Sequence, residues 1–204
     1  MAKKANRDKF STREVAIFAI LASLMFITTA FVKLIPNVHL LALFIGVSTL
    51  VYRERALIPL YVYVFLDWAY HGFTMTWAPH LYIWLPLWLA FMIVSKIDLP
   101  QKMRGPLYMV ICGLHGLSFG TLYAPAQALL FGLNVKGMIA WIATGLPFDI
   151  IHAIGDFLAA TLIIPLSTLL TKLDKRDAAT HKSQGTTSSI DSSLAEFSIP
   201  SHCL

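Results

Sequence analysis

The sequence predicts an all-α integral membrane bundle of six transmembrane helices, from its composition, its long apolar runs and the placement of its charges. Hydrophobic residues make up 57% of the 204 residues and charged residues only 13%, with a mean hydropathy of +0.67. A soluble domain has about a quarter of its residues charged, because it needs polar groups to cover its surface. The shortage of polar residues therefore indicates that lipid surrounds most of this chain.

Six apolar runs supply the predicted spans, since a helix needs about 20 apolar residues to cross the hydrocarbon core. The runs cover 15–35, 39–52, 56–73, 81–97, 106–131 and 147–173. The second run is short, so we expect it to be tilted or to begin inside the protein. Pro147 suits the first turn of the last helix, where proline lacks only an N–H that has no helical partner. A short apolar stretch over 138–144 leads into that helix.

The basic residues lie at the ends of these runs and mostly on one side of the predicted bundle. With the N-terminus inside, fourteen of the 16 Lys and Arg residues fall in the two terminal segments, the second-to-third loop and the fourth-to-fifth loop. Only Lys33 and Lys136 fall on the other side. Cytoplasmic loops are enriched in Lys and Arg, so both termini are predicted to be cytoplasmic. The same scatter argues against a nucleic-acid-binding patch, despite a net charge of +5.

The chain is predicted to have three parts. A basic cytoplasmic segment covers 1–13, a membrane domain covers 14–173, and a disordered cytoplasmic tail covers 174–204. The tail is rich in Ser, Thr, Asp and Lys and has too few apolar residues to form a core. Cys112 and Cys203 match no disulfide framework and no metal-binding motif. We expect neither a cofactor nor a bound metal ion.

Asp and His residues occur together in two of the apolar runs, although an ionised side chain costs about 2.5–3.5 kcal/mol at the centre of a membrane helix. Asp149, His152 and Asp156 are spaced by three and four residues, so they share one helix face. Asp67 and His71 repeat this spacing in the third run. The pattern predicts either a polar cavity inside the bundle or His–Asp pairs that hold helices together. Asp156 lies deeper toward the cytoplasm, so we assign it a structural role.

Loops on the side away from the basic residues carry aromatic and polar side chains that are typical of a small-ligand pocket. The candidate substrate-binding residues are Asn37, His39, Asp67, His71, Trp77, His80, Tyr82, Trp141, Asp149 and His152. A belt of aromatic residues at the level of the lipid headgroups is the alternative. We prefer the belt for Trp84, Trp88 and Tyr108, whereas both interpretations stay open for Trp77.

Small side chains follow one face of the first predicted helix. They are Ala16, Ala19, Ala22 and Ser23. Small residues let another helix approach closely in lipid, where close packing drives association. The face predicts either the docking of a partner protein or an ordinary contact within the bundle.

Several motifs together resemble the substrate-capture (S) components of energy-coupling factor (ECF) transporters. They are Gly-Leu-Pro-Phe-Asp-Ile-Ile-His-Ala-Ile-Gly-Asp-Phe over 145–157, Pro-Asn-Val-His-Leu over 36–40 and Gly-Leu-Ser-Phe-Gly over 116–120. The resemblance covers residues 12–173. It implies a multi-pass protein of the bacterial plasma membrane that is not an enzyme and that captures a vitamin-like micronutrient outside the cell.

The resemblance also implies partners, namely a transmembrane coupling subunit and two cytoplasmic ATPase subunits that release the cargo inward. Family members dock through an Ala-x-x-x-Ala pattern on the first helix, and the nearest match is Ala19-Ile-Leu-Ala-Ser23, with Ser in the second place. Their substrate sites lie among the fourth to sixth helices and the loop after the first. Several family substrates are heteroaromatic, and aromatic side chains suit such rings.

Two other functions are consistent with the residues. An intramembrane enzyme could use His71, His80, His115 and the aspartates of the last span. However, the chain lacks the His-Glu-x-x-His and Gly-x-Ser-x-Gly motifs, and Asp149 and Asp156 stand about 10 Å apart along the helix axis, too far to share one ion. A free-standing proton-coupled carrier could use an Asp–His relay in the third span. Such a carrier needs no coupling partner.

Overall fold

The computed structural model describes residues 10–31 and 40–174, and this part of the chain is all-helical, with no β-strand. Three sets of predictions fall outside the described residues. They concern the first nine residues, the loop that holds Asn37 and His39, and the tail over 175–204.

Seven α-helices follow one another in the described part of the chain. They are α1 (Thr12–Phe31), α2 (Leu41–Tyr52), α3 (Leu57–His71), α4 (Leu85–Val94), α5 (Gln101–Phe131), α6 (Val135–Ala159) and α7 (163–174). Four helical segments are long and apolar enough to cross a membrane, namely Thr12–Ala30, Trp77–Val94, Gln101–Phe131 and Val135–Asp174. With 12 and 15 residues, α2 and α3 are shorter. The predicted all-α class with apolar, membrane-length helices is confirmed.

The described residues place polar groups inside and many apolar side chains outside. The buried polar and charged residues are Ser48, Thr49, Asp67, His115, Gln127, Asp149, His152 and Asp156. On the outside, Leu129 is 86% exposed, Val135 68% and Ile154 56%. A soluble protein rarely exposes so many large apolar side chains around its perimeter, so this surface is suited to lipid.

The last long helix begins earlier than predicted. It starts at Val135, and the Asn134 side chain caps it by accepting a hydrogen bond from a first-turn N–H at 2.9 Å. Pro147 therefore lies inside the helix, so its predicted place in the first turn was wrong. Membrane helices tolerate internal proline because neighbouring groups satisfy the freed carbonyl. Helix α5 likewise begins at Gln101, ahead of the predicted start at Pro106, and this proline also lies inside the helix.

Several segments meet at one end of the bundle, which we call the charged end. It contains the start of α1, the turn between α2 and α3, the loop between α4 and α5, and the end of α7. The Arg13 guanidinium lies 3.2 Å from the Asp174 carboxylate, and the Arg55 guanidinium lies 2.6 Å from that of Glu14. These ion pairs hold the first and last described helices beside the α2–α3 turn.

The helices extend from the charged end toward the opposite end of the bundle, which we call the far end. At the charged end, Arg53 after α2 donates a hydrogen bond to the Ser95 hydroxyl after α4. At 1.5 Å per residue, the 15 residues of α3 carry the chain roughly 21 Å away, to His71. There the Phe26 ring of α1 lies 5.5 Å from the Tyr70 ring of α3. The Tyr123 ring of α5 lies 5.8 Å from that of His80 and 6.0 Å from that of Trp141, so the turn after α3 and the α5–α6 turn share the far end.

The most extensive helix contact in the described structure joins α5 to α6. Small buried residues recur at every fourth position of α5, at Cys112, Gly116, Gly120 and Ala124. A Cβ atom at position 116 would lie 2.9 Å from the Cα of Ala153 on α6. Close packing, rather than the hydrophobic effect, holds helices together in lipid. This contact fixes the polar face of α6 against α5.

Trp84 and Tyr108 belong to the core and not to a lipid-facing belt. They are only 3% and 5% exposed, and both lie in the buried hydrophobic cluster. The belt prediction was wrong for these two residues because their rings point between helices; the Tyr108 ring lies 5.4 Å from the Phe91 ring of α4. Trp88 is half-buried at the charged end, where its indole N–H donates to the Arg53 carbonyl at 3.3 Å.

Candidate functional site

Half-buried rings form a continuous set at the far end of the bundle. We call this set the ring cluster and define it as His71, Trp77, His80, Tyr123 and Trp141. Trp77 stands between the two histidines, with its ring centroid 4.2 Å from that of His71 and 4.4 Å from that of His80. The Tyr123 ring lies 5.8 Å from His80 and stacks on Trp141 at 6.0 Å. Tyr123 thus links the turn after α3 to the first turns of α6.

The local sequence explains how the turn after α3 presents its rings. The helix ends at Gly72, whose φ of 93° is left-handed and suits glycine. The 3₁₀ segment Met75–Leu81 follows, and Trp77 and His80 are three residues apart, so they lie on one face of it. The Tyr82 hydroxyl then donates to a carbonyl of α5 at 2.8 Å. This bond ties the segment to the helix that carries Tyr123, although it leaves Tyr82 outside the ring cluster.

Asp67 lies one helical turn before His71 and holds that ring in place. Its side chain is buried, and its carboxylate lies 3.4 Å from Nδ1 of His71. The same ring nitrogen is 2.8 Å from the Asp67 carbonyl. A partner on one ring nitrogen fixes the orientation of a histidine. The face of His71 is therefore held against Trp77.

Asp149 lies at the α5–α6 contact, where glycine makes room for its carboxylate. The backbone N–H of Gly120 lies 3.1 Å and 3.2 Å from the two carboxylate oxygens. A Cβ atom at position 120 would overlap this carboxylate. Asp149 is 6% exposed, so its carboxyl group lies inside the bundle, where a backbone donor supports it.

His152 and Asp156 form a second buried contact on the same face of α6. The Nε2 atom of His152 lies 3.2 Å from Oδ2 of Asp156, and both side chains are almost fully buried. The Phe119 ring meets the edge of His152 at 4.9 Å and stacks on Tyr123 at 6.0 Å. Phe119 therefore connects the polar face of α6 to the ring cluster. The predicted common face of Asp149, His152 and Asp156 is confirmed by their burial.

The structure brings most of the candidate substrate-binding residues into one half of the bundle. Four belong to the ring cluster, three are buried polar residues (Asp67, Asp149, His152), and Tyr82 anchors the adjoining segment. Phe119 and Tyr123 were not among the predicted site residues. They follow His115 at spacings of four and eight, which was the available signal, because residues four apart share one helix face.

Most of the small-residue face of α1 is exposed. Ala16, Ala19 and Ser23 are exposed, and the Ser23 hydroxyl donates to the Ala19 carbonyl at 2.8 Å, which satisfies it within the helix. Ala22 is fully buried in the core. Its assignment to a docking face was therefore wrong, because its side chain already contacts the rest of the bundle.

The buried polar residues do not form a metal centre within the part of the chain that the structure describes. No group of three or more His, Cys, Asp and Glu side chains there is placed to hold an ion. His115 uses its Nε2 atom on the Ile83 carbonyl, at 2.9 Å. No family model, curated protein or solved structure matches this chain.

Proposed function

We propose that this chain is the substrate-binding subunit of an ECF-type importer and captures a vitamin-like, ring-containing micronutrient outside a bacterial cell. The observation that carries the proposal is the ring cluster, in which three separate segments of the chain meet at one end of an apolar bundle. Half-buried aromatic faces bind flat ligands by stacking. The buried carboxylates of Asp67 and Asp149 favour a ligand ring that carries positive charge.

In this proposal the charged end faces the cytoplasm and the ring cluster faces the outside. The enrichment of Lys and Arg at the charged end supports that orientation, since cytoplasmic loops carry such residues. All six predicted spans then cross the bilayer. The short α2 is buried along most of its length, so neighbouring helices rather than lipid surround it.

The exposed small residues of α1 are the proposed docking surface for a transmembrane coupling subunit, which two cytoplasmic ATPase subunits would drive. Ala16, Ala19 and Ser23 let a partner helix approach closely. Ile20 and Ile27, which are 59% and 47% exposed, flank them with apolar surface. A surface of this kind supports helix association within the membrane.

We expect Ala19→Trp to abolish association with the coupling and ATPase subunits while the small molecule stays bound. The indole would hold a partner helix away from α1, whereas the ring cluster lies on other helices. The measurement is purification of the full chain from bacterial membranes, followed by mass spectrometry of associated proteins and retained small molecules. Ile93→Trp is the matched control, because Ile93 is 53% exposed on α4 and so lies outside the proposed docking surface.

Two outcomes would contradict the proposed docking. Equal loss of partners in both variants would mean that any bulky residue on the exposed apolar surface disrupts the assembly. A wild-type chain that carries a small molecule but no ATPase subunit would favour a free-standing carrier. In that carrier the buried Asp67–His71 contact would be the proton relay.

A further inference from the structure

A cavity of about 470 Å³ opens at the charged end of the bundle, away from the ring cluster. It lies between the ends of α2, α4, α5 and α7. Arg53, Arg104 and Lys172 line it, together with five hydroxyl side chains and one amide, and no Asp or Glu is among its lining residues. A cavity with several cations and hydroxyl donors but no carboxylate is suited to an anion.

The three cations differ from their neighbours at the same end. Arg13 and Arg55 form ion pairs with carboxylates, at 3.2 Å and 2.6 Å. None of the three cavity cations lies within 4.0 Å of a carboxylate in the described part of the chain. Arg104 donates its Nε–H to the Leu99 carbonyl at 3.2 Å, which orients the guanidinium and leaves its terminal N–H groups for another acceptor.

The backbone holds Arg53 at the cavity in a strained conformation. Its φ of 59° and ψ of −121° are unusual for a residue with a side chain. Two contacts maintain it: the Trp88 indole N–H donates to its carbonyl at 3.3 Å, and its guanidinium donates to the Ser95 hydroxyl. Strained residues persist where the surrounding structure over-determines them, and they concentrate at ligand-binding sites. The fold therefore sets the position of this cation.

We propose that this cavity binds an anionic phosphate group, carried either by a phospholipid headgroup or by a free phosphate. Arginine side chains bind phosphate oxygens through paired N–H groups. Basic pockets between membrane helices on the cytoplasmic side bind anionic headgroups. The lining also includes the apolar side chains of Leu50, Val94 and Ile164, which suit the start of an acyl chain. The site does not depend on the proposed transport role.

The test uses the full chain in nanodiscs with two probes. Native mass spectrometry counts the phosphatidylglycerol retained from a phosphatidylglycerol–phosphatidylcholine mixture, and calorimetry measures inorganic phosphate binding in phosphatidylcholine alone. We expect the double variant Arg53→Gln/Arg104→Gln to bind the probe at least roughly tenfold more weakly, because two charge-assisted contacts are lost. Arg104→Lys keeps the charge without the paired geometry, so we expect a smaller loss. Lys102→Gln is the matched control, since Lys102 is exposed at the same end and does not line the cavity.

The two probes also distinguish the sources of the phosphate. Retained phosphatidylglycerol without phosphate binding identifies a lipid headgroup, and phosphate binding identifies a free anion. If the wild-type chain binds neither probe, the proposal is overturned. It is also overturned if Lys102→Gln weakens binding as much as the cavity variants, because the charged end as a whole would then be the cause.

Discussion

Gly116→Val is expected to prevent assembly of the bundle or to lower its free energy of unfolding by more than about 3 kcal/mol. A Cβ atom at this position would lie 2.9 Å from both the Cα and the backbone nitrogen of Ala153. A backbone cannot turn aside as a flexible side chain can, so α5 and α6 would have to separate. The carboxylate of Asp149 would then lose the Gly120 N–H that supports it.

The measurement is the yield of monodisperse protein after detergent extraction, together with its apparent melting temperature. Gly145→Ala is the control on α6, because a Cβ atom there would meet nothing within 4 Å. Alanine is also the better helix former by about 1 kcal/mol, so we expect the control to melt at or above the wild-type temperature. A Gly116→Val protein with wild-type yield and melting temperature would show that the two helices do not pack as described.

His152→Leu is expected to lower the free energy of unfolding by about 1–3 kcal/mol, the usual effect of removing one partner from a buried polar contact. The partner that remains is Asp156, whose carboxylate lies 3.2 Å from the ring and is nearly fully buried. Replacing both residues with leucine removes both polar groups, so we expect the double variant to regain part of the loss. Unfolding in mixed detergent micelles, followed by circular dichroism, measures the three differences.

The double-mutant cycle separates two roles for His152. Additive losses would mean that the two side chains do not interact, contrary to the distance between them. If His152→Leu keeps wild-type stability but no longer retains a small molecule, His152 is a binding residue and not a structural partner. A non-additive cycle with the ligand still bound assigns it to the stability of α6.

Periodicity in the sequence predicted the inward face of α6 correctly. Spacings of three and four placed Asp149, His152 and Asp156 on one face, and all three are buried. The prediction succeeds because charged groups have few alternatives inside an apolar helix. The Lys and Arg residues of the N-terminal segment and of the second-to-third and fourth-to-fifth loops likewise predicted a basic end of the bundle. Arg13 and Arg55 form ion pairs at that end.

Hydropathy could not predict where α6 begins or which rings are buried. Gly145 and Pro147 suggested a helix start, whereas the cap at Asn134 begins the helix earlier and packing tolerates the proline. Hydropathy gives the depth of a residue along a span but not its direction around the helix. Trp84 and Tyr108 consequently belong to the core, although their residue types are typical of a lipid-facing belt.

The role of Tyr123 depends on tertiary structure. Its ring joins His80 to Trp141, which lies far along the chain on another helix. An aromatic residue inside an apolar helix is not by itself a candidate for ligand binding, although its spacing of eight from His115 places both residues on one face of α5. The packing of α5 between the two segments is what brings its ring into the cluster.

Native mass spectrometry of the full chain, gently extracted from the membranes in which it is made, tests the ring cluster as a binding site most directly. We expect one small ring-containing molecule per chain in the wild-type protein and in Trp88→Ala, since Trp88 lies at the opposite end. Tyr123→Ala is expected to lose it, because the two halves of the cluster are no longer joined. A wild-type chain without any retained molecule, or a Tyr123→Ala chain that retains as much as wild type, would contradict capture at this site.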